Sequence, residues 1–283
     1  MAKVGIVCDS TCDLGLDWFE ANDVTMVPLK VLFGEDSFLD WIDLQPEQFF
    51  EKLKAAPALP KTSQPSPAEF VAAYGALAEQ GCDSIVSIHL TAALSGTFES
   101  ATLAAKDVAI PVHVVDTKSV TQATGLIVKL ATELRDEGLD AESIALRARE
   151  ATARVKMFFI LDTLEYLVKG GRAGKAQGLA ASLLNIKPVL TFNQDGIIEP
   201  FKKVKGLRKA MAELAAHVAE QSRGGKIRLS FFHACSPDLA EELKTAFDEA
   251  GVDYDLDSIG LVGAVIGTYA GPRSLGAAYL PRS

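Results

Sequence analysis

Four short segments of this 283-residue chain gather hydroxyls, glycines or charges at spacings that could do chemistry. The first is Pro60-Lys61-Thr62-Ser63-Gln64-Pro65-Ser66-Pro67-Ala68-Glu69. Ser66, Pro67 and Glu69 have a structural use there, as N-cap, first helical residue and N3 of a capping box. Thr62 and Ser63 are left over on a proline-stiffened loop. Two adjacent hydroxyls in such a place can donate to an oxygen-rich group, or can simply stay hydrated. The second segment, Thr91-Ala92-Ala93-Leu94-Ser95-Gly96-Thr97-Phe98-Glu99-Ser100, follows the β-branched run Ile85 to Leu90. A parallel strand that ends in small polar residues and opens a helix is where α/β sheets place ligands. Gly96 permits close backbone approach there, and the free N–H groups of the next helix favour an anion. The alternative makes Ser95 or Thr97 a plain N-cap. The pattern is not G-x-S-x-G, so a nucleophile elbow is not supported.

The third segment is Asp9-Ser10-Thr11-Cys12-Asp13, directly after the first apolar run. Asp13 is placed to cap the next helix. Asp9 and Ser10 are expected at the same end of a parallel sheet as Ser95, in a supporting role. The fourth is Lys169-Gly170-Gly171-Arg172-Ala173-Gly174-Lys175, which has glycines and cations without the Walker pattern. It reads either as a solvated turn or as a contact surface for an acidic partner or a phosphate. None of the hydroxyls at Thr62, Ser63 or Ser95 has a His, Glu, Asp or Lys evident beside it to act as general acid or base. The clusters therefore favour binding over catalysis. Of the four histidines and four cysteines, only His233 and Cys235 form a near His–Cys pair, expected to face the same side of a strand. No four-ligand zinc spacing appears, so neither a metal nor a cofactor is expected.

The elements that must hold these segments alternate in the first half. Val4 to Cys8, Val24 to Phe33, Ile85 to Leu90 and Val112 to Val115 read as strands. Leu14 to Ala21, Pro46 to Ala55 and Asp140 to Ala151 read as helices, and Gly34-Glu35-Asp36 as a hairpin turn. Such alternation implies βαβ units and a parallel sheet. Ala55 to Pro67 reads as an ordered loop. In the second half, Val155 to Leu161 and Ile227 to His233 read as strands, Leu207 to Gln221 and Pro237 to Ala250 as helices. Ile186 to Phe192 and Ile197 to Phe201 flank Asn193-Gln194-Asp195-Gly196 as a hairpin, so this half should hold an antiparallel or mixed sheet. The expected fold class is α/β in two domains, residues 1–152 and 153–283. The first is a Rossmann-like parallel-sheet domain, the second mixed α/β, and the ligand lies between them.

Composition narrows the function. Hydrophobic residues make up 48% and charged residues 23%, which excludes a disordered chain. The net charge of −9 runs against a nucleic-acid partner. The longest strongly apolar stretch near the end, Ile259 to Ile266, is far short of the roughly 20 residues of a membrane span. Val4 to Cys8 is too short for the apolar core of a signal peptide, so the cytoplasm is the expected location.

Taken in order, Asp9-Ser10-Thr11-Cys12-Asp13-Leu14, Val27-Pro28-Leu29, Lys61 to Pro67, Leu94-Ser95-Gly96-Thr97, Lys169-Gly170-Gly171-Arg172, Asn185-Ile186-Lys187-Pro188 and Ile266-Gly267-Thr268 span almost the whole chain. Together they resemble the DegV family of bacterial fatty-acid-binding proteins, the carrier subunits of a fatty acid kinase. The resemblance implies a long-chain fatty acid held between or within two α/β domains. It implies that the hydroxyls of Thr62, Ser63 and Ser95 hold the carboxylate; Gly96 and Tyr269 are expected beside them as ligand-binding residues, and Asp9, Ser10 and Arg172 in a supporting or partner-contact role. A separate kinase subunit would phosphorylate the bound carboxylate, with transient membrane contact for lipid exchange. The N-terminal half would also be similar in fold to the dihydroxyacetone-binding kinase subunit. One departure is local: where the family often has Gly-Thr-His-x-Gly-Pro-Gly, this chain has Gly267-Thr268-Tyr269-Ala270-Gly271-Pro272-Arg273. Tyr269 keeps a hydrogen-bond donor without the imidazole's change of charge near neutral pH.

Burial arithmetic agrees with a lipid carrier. The ~14 methylenes of a C16 chain offer on the order of 11 kcal/mol before binding costs, against ~1 kcal/mol for each neutral hydroxyl contact. The tail should supply affinity and the hydroxyls orientation. Phe158, Ile160, Leu161, Leu164, Leu167, Leu183, Leu184, Leu190, Val265 and Ile266 are the candidate walls, each of which could equally be ordinary core. The rival readings are an acyl hydrolase or transferase using Ser95, a module for a sugar, triose or other small polar metabolite, and a structural protein with an incidental lipid.

Overall fold

The computed structural model describes residues 3–182 and 186–282, with backbone alone for 180–182 and 186. Leu183, Leu184 and Asn185 lie outside the described residues. The chain opens with β1 (Val4–Asp9), a 3-10 turn at Ser10–Cys12, α1 (Leu16–Ala21), β2 (Val24–Val27), β3 (Lys30–Phe33) and β4 (Asp36–Leu39). There follow α2 (Pro46–Ala55), β5 (Lys61–Ser63), α3 (Pro67–Glu79), β6 (Ser84–His89), α4 (Thr97–Ala104), β7 (Val112–Asp116), α5 (Thr121–Asp136) and α6 (Ala141–Arg154). The second half holds β8 (Lys156–Ile160), α7 (Glu165–Lys169), a 3-10 segment at Gly174–Ser182, β9 (Ile186–Phe192) and β10 (Ile198–Lys205). It ends with α8 (Leu207–Gln221), β11 (Ile227–His233), α9 (Pro237–Glu249), β12 (Tyr254–Leu261), α10 (Ala264–Ala270) and β13 (Leu275–Pro281).

Three sheets result. The first, in the order β2-β1-β6-β7, is parallel throughout. The second, β10-β9-β8-β13-β11-β12, is mixed, with β11 and β12 its parallel pair. The third is a small antiparallel sheet, β4-β3-β5. Helices and the two large sheets stack in alternation. One face of the parallel sheet packs Val7 and Ile85 against Phe70 and Tyr74 of α3. The far face of the mixed sheet packs Phe231 and Leu229 against Leu214 of α8 and Leu243 and Phe247 of α9. Between the sheets runs one continuous core, joining Ile6, Val86 and Ile88 to Phe159, Phe232 and Val265. α5 lies in that middle layer and touches strands of both sheets, which is why eleven of its residues are buried. Strands covered on both faces read as unbroken apolar runs rather than alternating ones, and β1 is buried at all six positions.

Several expectations need correction. The run Val24 to Phe33 is two strands in two sheets. Pro28 has no N–H to continue the ladder, and the chain leaves the parallel sheet after Val27. The stretch Ala55 to Pro67 is not all loop: β5 pairs Thr62 with Val31 and carries the first hydroxyl cluster on a strand edge. Asp13 does not cap α1, whose N-cap is Gly15. Neither Ser95 nor Thr97 caps α4; the N-cap is Gly96. His233 and Cys235 do not share a face. β11 stops at His233, whose Nδ1 accepts the Ser236 N–H at 3.1 Å, and Cys235 turns outward with φ +48°. β12, α10 and β13 were not anticipated as elements. The Ser66 capping box forms as expected, with Ser66 Oγ accepting from Glu69 N and Glu69 answering the Ser66 N–H at 2.7 Å.

Candidate functional site

The middle layer does not close completely. A cavity of about 270 Å³ opens between the sheets; among the described residues 24, from both halves of the chain, line it, 16 of them apolar. Leu29, Leu90, Leu94 and Val120 come from the first half. Met157, Phe159, Leu161, Phe192, Ile198, Phe232, Val262, Val265 and Leu275 come from the second. Strand geometry decides which side chains reach it. Successive residues of a strand point to opposite faces, so Met157 and Phe159 face the cavity, whereas Phe158 and Ile160 face the core under α8. Of the expected walls, Leu161, Leu167, Val265 and Ile266 line the cavity; Leu164 and Leu190 are buried in the middle core and do not.

Polar groups from β5, α10, the turn before α4 and the turn after α7 line the wall. Thr62 Oγ1 of β5 and Tyr269 Oη of α10 are 2.6 Å apart, bridging 207 residues of sequence. Ser95 Oγ and Thr97 Oγ1 are 2.8 Å apart at the start of α4. A hydroxyl has one hydrogen and two lone pairs. Each pair therefore spends one hydrogen internally and keeps one to donate. Thr97 is fully buried, so Ser95 is the member of its pair that borders the cavity. Arg172, just beyond α7, lays its guanidinium 5.0 Å from the centre of the Tyr269 ring. It donates to the Gly170 and Leu94 carbonyls at 2.8 and 3.4 Å. Its neighbours Lys169 and Lys175 are paired with Glu165 and Glu199. Among the described residues no carboxylate pairs with Arg172. The turn is thus two exposed ion pairs around one half-buried cation at a cavity wall. Gly170 is needed there, since a side chain would overlap the Tyr269 ring.

Thr62, Ser63, Ser95, Tyr269 and Arg172 all line this cavity. Gly96 does not. Its N–H donates to Gln64 Oε1 at 3.1 Å, and a Cβ would come within 2.6 Å of that amide. Gln64, which the sequence reading passed over, lines the cavity and ties the two hydroxyl-bearing loops, its Nε2 reaching Ser100 Oγ at 3.3 Å. Its place inside the Thr-Ser-Gln-Pro segment was the available signal.

Asp9 and Ser10 are elsewhere, fully buried beneath the sheet end. Asp9 Oδ2 accepts from Leu90 N and meets His89 Nδ1, both at 3.0 Å; His89 Nε2 meets Ser87 Oγ at 2.7 Å. The order Ser87, His89, Asp9 is that of a hydrolase triad, yet neither Ser87 nor His89 lines the cavity. Ser87 Oγ is also held by Tyr74 Oη at 2.8 Å, and Asp9 Oδ1 is taken by Thr11 N and Oγ1. Ser10 Oγ accepts from Leu29 N at 3.1 Å and donates to Asp40 at 2.8 Å. Burial pushes the Asp40 carboxyl up to about 6, and burial together with the neighbouring Asp40 charge pushes Asp13 up well above the usual carboxylate range.

The family model described as that of the uncharacterised DegV proteins matches residues 3–282. The chain belongs to the DegV family. A DegV domain-containing protein of Deinococcus radiodurans is 38% identical over 284 residues, covering 99% of each chain. A DegV relative from Thermotoga maritima named fatty acid-binding protein is 35% identical over 280 residues, covering 97% of this chain and 96% of its own. The solved structure of a fatty-acid-binding DegV family protein from Thermus thermophilus superposes with a TM-score of 0.93 at 33% identity, covering 99% of this chain and 100% of the other.

Proposed function

We propose that this protein binds a long-chain fatty acid in the cavity between its sheets and presents the carboxylate to a separate kinase subunit for acyl-phosphate formation. The observation that carries the reading is the pairing of Thr62 with Tyr269 and of Ser95 with Thr97 on the wall of an apolar cavity. Two spare O–H donors suit the two oxygens of one carboxylate, and Arg172 supplies the opposite charge. The apolar wall takes the tail, whose burial supplies most of the affinity. In this reading residues 1–152 and 153–283 act as two lobes, Ser63 flanks the headgroup, and Gln64 and Gly96 hold the loops. The protein is a carrier working in the cytoplasm, with membrane contact limited to lipid exchange. Ser95 as a nucleophile is less well supported: its hydroxyl partner is Thr97, and a base within hydrogen-bond reach is what nucleophilic catalysis requires.

Denaturing extraction of the purified protein should release a long-chain fatty acid, identified by its mass. An empty cavity or a polar metabolite, after incubation with palmitate or oleate, would overturn the reading. The Thr62→Ala/Ser95→Ala double variant should lose roughly 10-fold or more in palmitate affinity, at ~1 kcal/mol for each lost contact. Its affinity for hexadecanol should change far less. Acyl-phosphate formation with the partner kinase should fall in parallel; unchanged formation would remove these residues from the headgroup site.

A further inference from the structure

α10 has seven residues, too few to be stable alone in water, yet it carries Val265, Ile266 and Tyr269 to the cavity wall. Its N-cap, Gly263, has no side chain to satisfy the first N–H groups. Two carboxylates from the other end of the chain do so. Asp13 Oδ1 accepts from Gly263 N at 3.1 Å, and Asp40 Oδ1 accepts from Ala264 N at 2.9 Å and Val265 N at 3.4 Å. The receiving pocket is built tightly. Trp41 Nε1 donates to the same Asp13 oxygen at 3.2 Å, and Ser10 Oγ holds the other Asp40 oxygen. A Cβ on Gly263 would come within 2.5 Å of Trp41 Nε1 and 2.6 Å of Asp13 Oδ1. Asp13 and Trp41 both have positive φ, +53° and +66°. Backbone of that kind persists only where its surroundings over-determine it, and it gathers at clamps and switches.

We propose that Asp13 and Asp40 are positioning residues for the headgroup site: by capping α10 from the N-terminal half, they set the helix position at which Tyr269 meets Thr62. Tyr269 lies about 9 Å along the helix axis from Gly263, so neither carboxylate touches the cavity's polar cluster. The effect passes through one rigid turn-and-a-half of helix. This gives the Asp9 to Asp13 segment, which does not line the cavity, a task in recognition. The inference rests on the fatty-acid reading for its affinity readout.

The test compares Asp40→Ala, Asp40→Asn and Gly263→Ala with the wild type. Asparagine keeps an oxygen that can accept from Ala264 and Val265; alanine does not. Gly263→Ala leaves both carboxylates intact and wedges the helix from its own side. Amide hydrogen exchange of residues 263–270 is the first measurement, and the ratio of palmitate to hexadecanol affinity is the second. Asp40→Ala and Gly263→Ala should speed exchange in α10 selectively and lower the acid-to-alcohol ratio by about tenfold, the scale of one lost charge-assisted hydrogen bond. Asp40→Asn should stay within about threefold of wild type, as amide and carboxylate oxygens are both acceptors. Unaltered exchange in α10 overturns the clasp. Faster exchange with an unaltered ratio overturns the positioning role. A wild type with no preference for the acid overturns the fatty-acid reading instead, and the exchange result then still decides the clasp. If Asp40→Ala does not fold, Gly263→Ala carries the same comparison.

Discussion

Two hydroxyl clusters lie at the same end of the parallel sheet. One contains Ser87, His89, Asp9 and Tyr74, all fully buried, with their side-chain polar atoms occupied by one another and by Thr11 and Leu90. The other contains Thr62, Tyr269, Ser95 and Arg172, half-buried and facing a cavity. By residue type, the first has the better claim to chemistry, since it holds a serine, a histidine and an aspartate in relay order. Its hydrogen bonds are saturated and none of its four residues lines the cavity between the sheets, so its contribution is to rigidity. The second has plainer residues, but its hydroxyl pairs retain donors that water or a ligand must satisfy. Capacity for recognition here follows from unspent hydrogen bonds beside open space, not from the identity of the side chains.

Substitutions can set the clusters against each other. The largest effect is expected from Ser87→Ala, which strands Tyr74 Oη and His89 Nε2. It should cost about 2–3 kcal/mol of stability in urea denaturation, while palmitate affinity in the folded protein stays within about twofold. A large loss of affinity without loss of stability would move the site inward and undo the contrast. Next comes the pH dependence of the acid clasp. Asp40 titrates higher in the folded protein, about 6, than the ordinary carboxylate value near 4 that it takes when unfolded. The folded state therefore holds its proton more tightly, and this residue's contribution to stability falls as pH rises through that window. Relative to Asp40→Asn, which cannot titrate, the wild type should gain roughly 2 kcal/mol on going from pH 7 to pH 4. Parallel stability profiles for the two proteins would show that Asp40 is not perturbed. The smallest effect belongs to Tyr269→Phe. It keeps the ring under Arg172 but removes the partner of Thr62, so palmitate affinity should fall about fivefold, near 1 kcal/mol, with Tm nearly unchanged. A fall matched by hexadecanol would assign Tyr269 to the tail rather than the headgroup.

Much of this was readable from the chain. The capping box at Ser66, the helix Leu207–Gln221, the strand Ile227–His233 and the hairpin around Asn193 to Gly196 follow from local patterns, because caps, periodicity and turn residues act over a few positions. So did the membership in the DegV family, since the motifs that carry it are short, ordered and spread along the whole length. The hydroxyls of Thr62 and Ser63 could be singled out because no local structural task uses them, and Ser95 because it sits in a small polar loop after a parallel strand. Tertiary structure alone decided the rest. Phe158 and Phe159 are indistinguishable in sequence, and only the seating of β8 between β9 and β13 determines which of them faces the cavity. Tyr269 and Thr62 are 207 positions apart, and Asp40 and Ala264 are 224 apart. No periodicity spans such separations, because what joins those residues is the packing of two sheets around α5, a property of the whole core rather than of any segment within it.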